Sequence, residues 1–173
     1  EFSAPAAAGE DTIVYSDKSE YAANLEMAKD FYVRQDNPQA GVDLADLQKI
    51  DTPHAKTIDE LANLLDEKPE NLVKTIMVVT PENELVAVVT TGDFEVNLDK
   101  EQNFLGYSDV ELADEAQVKA TVGASFGSLG PVGLPESVQL LVDERAADLV
   151  NFAAGANEDG KHFLNVNWNR DVD

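Results

Sequence analysis

The chain has no cysteine among its 173 residues, which excludes disulfide bonds, thiol nucleophiles and Cys-ligated zinc. It has only two histidines, His54 and His162, so it cannot form a three-histidine metal site. No hydrophobic run approaches the roughly 18 residues that a transmembrane helix needs. We therefore expect no metal site and no membrane role. The lack of cysteine is compatible with a reducing cytoplasm, which is the expected location.

Basic residues are scarce: 12 lysines and arginines stand against 34 aspartates and glutamates, and the formal charge is −22. A protein that binds nucleic acid by itself normally has a basic face that displaces phosphate counterions. Both the first 50 residues and the remainder are acidic, which excludes long-range attraction to RNA or to an anionic membrane. Any nucleic acid must therefore be held mainly by another part of a larger molecule. At 43% hydrophobic residues, the chain can still bury a core.

The first 50 residues are predicted to be a separate part of the chain. Residues 1–9 lack the basic leader and apolar core of a signal peptide. The β-like run 12–15 predicts a strand, apolar residues at helical spacing predict a helix over about 18–33, and Pro and Gly predict a linker over 34–50. We place a boundary near residue 50, with the main domain over 51–173. The chain has no initiator Met and stops abruptly, so we expect a segment of a longer protein.

Residues 51–173 mix helical and strand-like patterns. Thr57 and Glu60 form a capping-box pattern, which predicts a helix to about residue 66, and Pro69 predicts a short second helix. Two β-rich runs, 74–80 and 85–90, predict a hairpin.

Further elements are predicted in the second half of the chain. They are helices over 97–104, over 115–121 (capped by a second box of Asp114 and Gln117) and over 144–150, and strands over 138–142 and 162–166. Strands and helices alternate in this part of the chain, but not in the regular order of βαβ units. We therefore predict an α+β (mixed α/β) domain with a curled, largely antiparallel mixed sheet and flanking helices.

Two places suggest anion binding. Lys74 precedes an apolar strand and could hold a phosphate as a point charge, or it could be a solvated lysine at a strand edge. The loop 127–133 contains glycines whose N–H groups could converge on an anion or a carbonyl oxygen, or it could be an ordinary turn. It is neither a P-loop nor a dinucleotide-binding fingerprint.

Two more places carry titratable side chains. His162 ends the turn 157–162 and could orient a ligand or move a proton near neutral pH, although a lone histidine that begins a strand is more often a satisfied polar residue. Asp143 follows the apolar run 140–142 and could act in a site or cap the next helix. A triad of Ser125 or Ser128 with His162 and Asp143 is disfavoured because no GxSxG elbow is present.

Several separated motifs occur in a characteristic order. They are Thr52-Pro53, Lys56-Thr57-Ile58, Val73-Lys74-Thr75, Gly92-Asp93, Gly127-xxx-Pro131, Val142-Asp143-Glu144-Arg145, Asn151-Phe152 and Gly155-Ala156-Asn157-Glu158-Asp159-Gly160-x-His162. Over about residues 51–170 this set resembles the editing insertion domain of bacterial-type prolyl-tRNA synthetases and the related YbaK-like deacylases. Residues 1–32 resemble the stretch after motif 2 of the class II catalytic domain of the same synthetases. The free deacylases would not carry that stretch, which favours an excised insertion.

The resemblance implies a YbaK-like editing fold that hydrolyses alanine misattached to proline tRNA, with no cofactor. Lys74 would bind the phosphate or ribose of the terminal adenosine, and His162 would position the alanyl group, supported by Asp143. Backbone N–H groups from Gly127 to Gly130 would hold the oxyanion, and water, helped by the vicinal ribose hydroxyl, would be the nucleophile. The other residues expected to contact the substrate are Thr52, Ser128, Leu129, Pro131, Asn157 and Asp159.

The resemblance also implies the partners. The substrate would be the acceptor end of tRNA(Pro) carrying alanine, and the rest of a homodimeric synthetase would hold the tRNA, with no membrane involved. A synthetic pocket cannot strongly exclude an amino acid that lacks a methylene, since each is worth about 1–3 kcal/mol, so a second, smaller pocket is needed. Two alternatives stay open: a free-standing trans-editing deacylase, and a non-catalytic acidic module that binds a nucleotide or a protein through the Gly-Pro loop.

Overall fold

The computed structural model describes residues 11–15, 22–26, 34–95, 98, 105–107 and 109–172. The strands in this part are β1 (Asp11–Tyr15), β2 (Ala22–Glu26), β3 (Gln48–Asp51), β4 (Val73–Val79), β5 (Leu85–Thr91), β6 (Glu111–Leu112), β7 (Gln139–Val142), β8 (Phe152–Gly155) and β9 (Lys161–Val166). The α-helices are α1 (Ile58–Leu65), α2 (Glu115–Val122) and α3 (Glu144–Ala147), and short 3₁₀ turns cover Pro69–Asn71 and Phe126–Ser128.

The strands form two sheets. The larger sheet has the order β2-β1-β7-β5-β4-β6, and the smaller has the order β3-β9-β8. Every neighbouring pair is antiparallel except β5 and β7, which are parallel. Strand β5 is buried along its whole length, as expected for an apolar run between two partners with both faces covered. The predicted mixed, largely antiparallel α+β fold is confirmed.

Several predicted elements are present at nearly the predicted bounds. The hairpin of β4 and β5 pairs Val73 with Thr91 through to Val79 with Leu85. The first capping box is complete: Thr57 Oγ1 accepts from the Glu60 N–H, and the Glu60 carboxylate accepts from the Thr57 N–H. This box fixes the start of α1, which borders the site described below.

The helix predicted over 18–33 is wrong where the structure describes it. Residues Ala22–Glu26 form β2, antiparallel to β1 with Ile13 opposite Asn24. Pairing with a neighbouring strand overrides a local helical pattern of this kind. The rest of that predicted helix, and the helix predicted over 97–104 apart from Leu98, lie outside the described residues.

The prediction of a second capping box, formed by Asp114 and Gln117, is also wrong. Asp114 caps α2 by accepting from the Ala116 N–H, but the Gln117 side chain donates to Asn83 instead of returning to the cap. A partner in the turn between β4 and β5 competes for the amide, and no local sequence pattern indicates this partner.

The segment predicted as a linker over 34–50 is attached to the main domain. It contains β3, which pairs antiparallel with β9. Asn151 Oδ1 accepts from the Ala45 N–H, and the Arg170 guanidinium donates to the Ala45 carbonyl. The left-handed conformation of Asn151, at φ 51°, suits an asparagine. None of the helices in the described residues is both long and apolar enough to cross a membrane.

Candidate functional site

A cavity of about 360 Å³ lies between α1, β4 and the loop that follows α2. Its size is at the lower end of the roughly 300–1,000 Å³ that is usual for small-molecule pockets. Four of the predicted catalytic and substrate-binding residues line it together: Lys74, Gly127, Leu129 and His162. The other lining residues are Lys56, Thr57, Ile58, Leu61, Val73, Thr75, Ile76, Met77, Leu112, Ala113, Phe126 and Gly155.

The charge of this lining is opposite to that of the whole chain. The lining contains Lys56 and Lys74 and no aspartate or glutamate, although acids outnumber bases 34 to 12 in the sequence. Within the described part of the chain, neither lysine takes part in a salt bridge. Two such lysines favour an anionic ligand here.

The loop beside the cavity packs backbone against backbone. A Cβ on Gly130 would lie 1.9 Å from the carbonyl oxygen of Gly155, and a Cβ on Gly155 would lie 2.2 Å from the carbonyl oxygen of Leu129. A Cβ on Gly127 would lie 2.7 Å from the carbonyl oxygen of Lys56. Only glycine permits approaches this close. The three glycines therefore hold the loop against β8 and against the start of α1.

Asn157 fixes the shape of the loop. Its Oδ1 accepts from the Gly130 N–H at 2.8 Å, and its Nδ2 donates to the carbonyls of Gly130 at 2.9 Å and Val132 at 2.8 Å. The expectation that the Gly130 N–H stabilises an oxyanion is therefore wrong, because this donor is already bonded. The Gly127 N–H has no partner among the described residues outside the 3₁₀ turn Phe126–Ser128, and Gly127 and Leu129 both line the cavity.

Ser128, Pro131 and Asp159 lie outside the cavity lining. Ser128 is buried and its Oγ accepts from the Gly160 N–H, while the Asp159 carboxylate accepts from the Ser125 N–H at 2.7 Å. The latter bond lowers the pKa of Asp159. These contacts position the loop relative to the turn before β9, in place of the substrate contacts that the resemblance implied for Ser128 and Asp159.

His162 is 4% exposed and belongs to the lining. Its Nδ1 lies 2.5 Å from the hydroxyl of Thr52, which is itself buried. The Thr52 N–H donates to the Gly160 carbonyl, so the threonine is held on both its backbone and its side chain. Burial lowers the pKa of His162, which favours the neutral imidazole at pH 7. Thr52 thus orients a neutral ring at the cavity wall.

Asp143 is not part of this cavity, so its expected support of the His162 wall is wrong. It occupies the cap position of α3 without a side-chain cap bond, and its backbone N–H donates to the Val89 carbonyl. Neither carboxylate oxygen makes a hydrogen bond of good geometry in the described residues, although the backbone N–H groups of Arg145 and Ala146 are near enough to oppose a rise of its pKa. Burial raises the pKa of Asp143 to about 6, against the opposing effect of the Arg145 guanidinium. With Thr52 as the partner of His162, no Ser-His-Asp triad is formed.

The buried carboxyl of Asp143 predicts an unusual pH dependence of stability. Because its folded pKa of about 6 exceeds the ordinary aspartate pKa of 3.8, the folded chain binds the extra proton, and stability falls as the pH rises from about 4 to about 6. The loss is on the order of 3 kcal/mol at pH 7. His162 acts in the opposite direction: its lowered pKa makes stability fall as the pH drops below 6.5.

Asp143→Asn should therefore raise the free energy of unfolding at pH 8 and change it little at pH 4.5. Urea unfolding at both values measures this, with the exposed Asp59→Asn as the control. Equal effects of Asp143→Asn on the free energy of unfolding at the two pH values would contradict a raised pKa of Asp143.

Several lining residues were missed by the sequence analysis. Thr75 is one, since its motif was named without a role for it: it is 8% exposed, and its hydroxyl has no partner in the described residues. Phe126 and Leu112 are others, and they are 47% and 60% exposed. A motif search gives no signal for the apolar pair, because their roles depend on which loop ends reach the cavity.

A second cavity of about 480 Å³ lies between residues 34–39, α3 and the C-terminal turn around Trp168. None of the predicted catalytic or substrate-binding residues lines it. No group of three potential metal-ligating His, Cys, Asp or Glu side chains occurs in the part of the chain that the structure describes.

The fold and this cavity are those of a class of aminoacyl-tRNA editing domains. The family model for the aminoacyl-tRNA editing domain matches residues 52–172. The chain belongs to the aminoacyl-tRNA editing domain family. It is 70% identical to the proline–tRNA ligase of Leuconostoc citreum over 172 residues. These residues make up 99% of this chain and 29% of that protein. The corresponding enzyme of Leuconostoc mesenteroides is 67% identical over 173 residues, all of this chain and 30% of that protein.

The chain thus spans less than a third of these relatives. Two solved structures share its fold. The hypothetical protein APE2540 has a TM-score of 0.61 at 25% identity and covers 68% of this chain and 79% of that one. A candidate trans-editing enzyme for prolyl tRNA synthetase has a TM-score of 0.60 at 19% identity. The match covers 68% of this chain and 74% of that one. The resemblance to the YbaK-like editing fold is confirmed.

Proposed function

We propose that this chain hydrolyses alanine from mischarged tRNA(Pro) and rejects proline by size. The observation that carries the proposal is the single cavity lined by Lys74, Gly127, Leu129 and His162. It combines a cation, the backbone of the glycine loop and a neutral imidazole. An aminoacyl ester needs such groups for its anionic end, its carbonyl oxygen and its amino-acid part.

The reaction is the addition of water to the ester carbonyl, followed by loss of the ribose oxygen. The N–H groups of Gly127 and Leu129 hold the developing oxyanion, and donors of this kind typically contribute about 2.7–4 kcal/mol each. Lys74 binds the phosphate or ribose of the terminal adenosine. The products are free alanine and tRNA with its terminal hydroxyl restored.

Two hydroxyl groups can hydrogen-bond the attacking water and orient it. One is the unpartnered hydroxyl of Thr75 in the cavity, and the other is the ribose hydroxyl next to the ester. His162 forms the wall against which the alanyl group is placed, and Thr52 holds the ring in position. Selection of alanine over proline depends on the space between these groups and the loop backbone.

We further propose that the chain acts within a longer cytoplasmic synthetase. Residues 1–50 would be the edge of a class II catalytic domain and its connection, and residues 51–173 the editing domain. The similarity to the Leuconostoc citreum proline–tRNA ligase extends over 99% of the chain and so includes residues before the editing match. This favours editing in cis over a free-standing deacylase. The rest of a homodimeric enzyme would hold the tRNA, as the charge of −22 requires.

The test is release of alanine from alanyl-tRNA(Pro) by the purified chain. Lys74→Ala should keep the fold and lower kcat/KM about 10- to 100-fold, because it removes one charged contact, and His162→Ala should also slow the reaction. Lys68→Ala, an exposed lysine outside the cavity, is the control. Full activity of both cavity variants would refute the site assignment. A wild-type chain that binds the substrate without releasing alanine would instead support the non-catalytic module.

A further inference from the structure

The mouth of the cavity has exposed apolar surface that the proposed hydrolysis does not use. Phe126 is 47% exposed and Leu112 is 60% exposed, and both line the cavity. The inner lining is also apolar and includes the buried Leu61, Met77 and Leu129. A half-exposed aromatic ring beside a cavity packs partly on the protein and keeps accessible surface on which a flat ligand can stack.

A lysine lies beside this ring. Gly127 follows Phe126, and the position of its missing Cβ is 3.0 Å from Lys56 Cα and 3.2 Å from Lys56 Cβ. Lys56 therefore lies against the residue that follows Phe126, and both Lys56 and Phe126 line the cavity. The neighbouring Glu60 carboxylate is engaged by the backbone N–H groups of Lys56 and Thr57. The Lys56 side chain forms no salt bridge within the described ranges.

We propose that this rim binds the 3′-terminal nucleotide of the substrate, with the base stacked on Phe126 and the 5′ phosphate at Lys56, which leaves the ribose to Lys74. The inference rests on the proposed function, and it follows from the covalent structure of an aminoacyl-tRNA. The ester joins the amino acid to a ribose, and the other substituents of that ribose are the base and the 5′ phosphate. If the aminoacyl group is inside the cavity, the base and phosphate must lie at its mouth.

Stacking suits a chain of this charge. Contact between a base and an aromatic ring needs no basic face, and alanine substitution of such rings typically weakens binding by about 5- to 150-fold, which corresponds to about 1–3 kcal/mol. One or two lysines then supply a local attraction that the acidic surface as a whole does not. The rim would add affinity for the nucleotide without attracting RNA along its length.

The experiment measures binding of a CCA trinucleotide whose terminal ribose carries alanine through an amide that water does not cleave. Phe126→Ala should weaken binding to the full chain about tenfold. Phe126→Trp should restore it and Phe126→Leu should not, because only the tryptophan keeps a ring face. Leu64→Ala is the matched control, since Leu64 is 58% exposed and does not line the cavity.

Two further comparisons separate the base from the phosphate. An analogue without the terminal base should bind the wild type and Phe126→Ala equally. Lys56→Ala should reduce the slope of log Kd against log salt by roughly 0.7, as expected for one lost contact on a single strand, and Lys68→Ala should not change it.

Equal binding of the adenine-containing analogue by the wild type and Phe126→Ala would overturn the inference, as would full rescue by leucine or no binding by any variant. The proposed function can fail separately. A wild type that binds the analogue through Phe126 but releases no alanine from the ester would refute the hydrolysis and leave the rim in place.

Discussion

Gly130→Ala is expected to destabilise the chain and to remove most of the proposed deacylase activity. The new Cβ would lie 1.9 Å from the Gly155 carbonyl oxygen and 2.8 Å from its carbonyl carbon. Both atoms belong to the backbone of β8, so neither can rotate away. The loop must shift, and overpacking of this kind typically costs about 1–3 kcal/mol or more.

The loss of activity follows from the bonds that the shift breaks. The N–H and C=O of Gly130 are both bonded to the Asn157 side chain. Moving Gly130 therefore displaces Leu129 and Gly127, whose N–H groups are proposed to hold the oxyanion. Since removing one such donor commonly costs about 10²–10³ in rate, we expect at least about a 100-fold loss of kcat.

The control for this prediction is Gly133→Ala in the same loop. Gly133 has φ 74° and open space around its missing Cβ, so alanine there should cost about 1–2 kcal/mol through the left-handed conformation alone and leave the rate unchanged. Urea unfolding and single-turnover deacylation measure both variants. If Gly130→Ala is as stable and as active as the wild type, the close packing of this loop on β8 does not exist in solution.

Local patterns predicted the elements whose determinants are local. The Thr57 and Glu60 box fixes the start of α1, and two apolar runs joined by a polar turn form the β4–β5 hairpin. The strand β2 and the attachment of residues 34–51 depend on partners far along the chain, such as Asn151 for Ala45. A window of neighbouring residues contains no information about such partners.

The same distinction holds for the site. The resemblance brought Lys74, the Gly-Pro loop and His162 together, and the structure has them around one cavity. It could not show that Asn157 occupies the Gly130 N–H, or that Thr52, and not Asp143, contacts the imidazole. Those are questions of side-chain direction, which depend on how the two sheets pack.

Discrimination between alanine and proline is the second large effect that we expect. Proline differs from alanine by ring methylenes that must fit between the His162 ring and the loop backbone. Because Gly130 and Gly155 are already in contact there, the loop cannot retreat to make room. Overpacking by about 3 kcal/mol corresponds to a rate ratio of about 100.

The most direct measurement is the ratio of the deacylation rates of alanyl-tRNA(Pro) and prolyl-tRNA(Pro) by this chain under the same conditions. A ratio of about 100 or more, reduced in parallel with activity by Lys74→Ala, is the result that a size-selective cavity predicts. Equal rates for the two esters would contradict exclusion by size, and no hydrolysis of either would contradict the proposed activity itself.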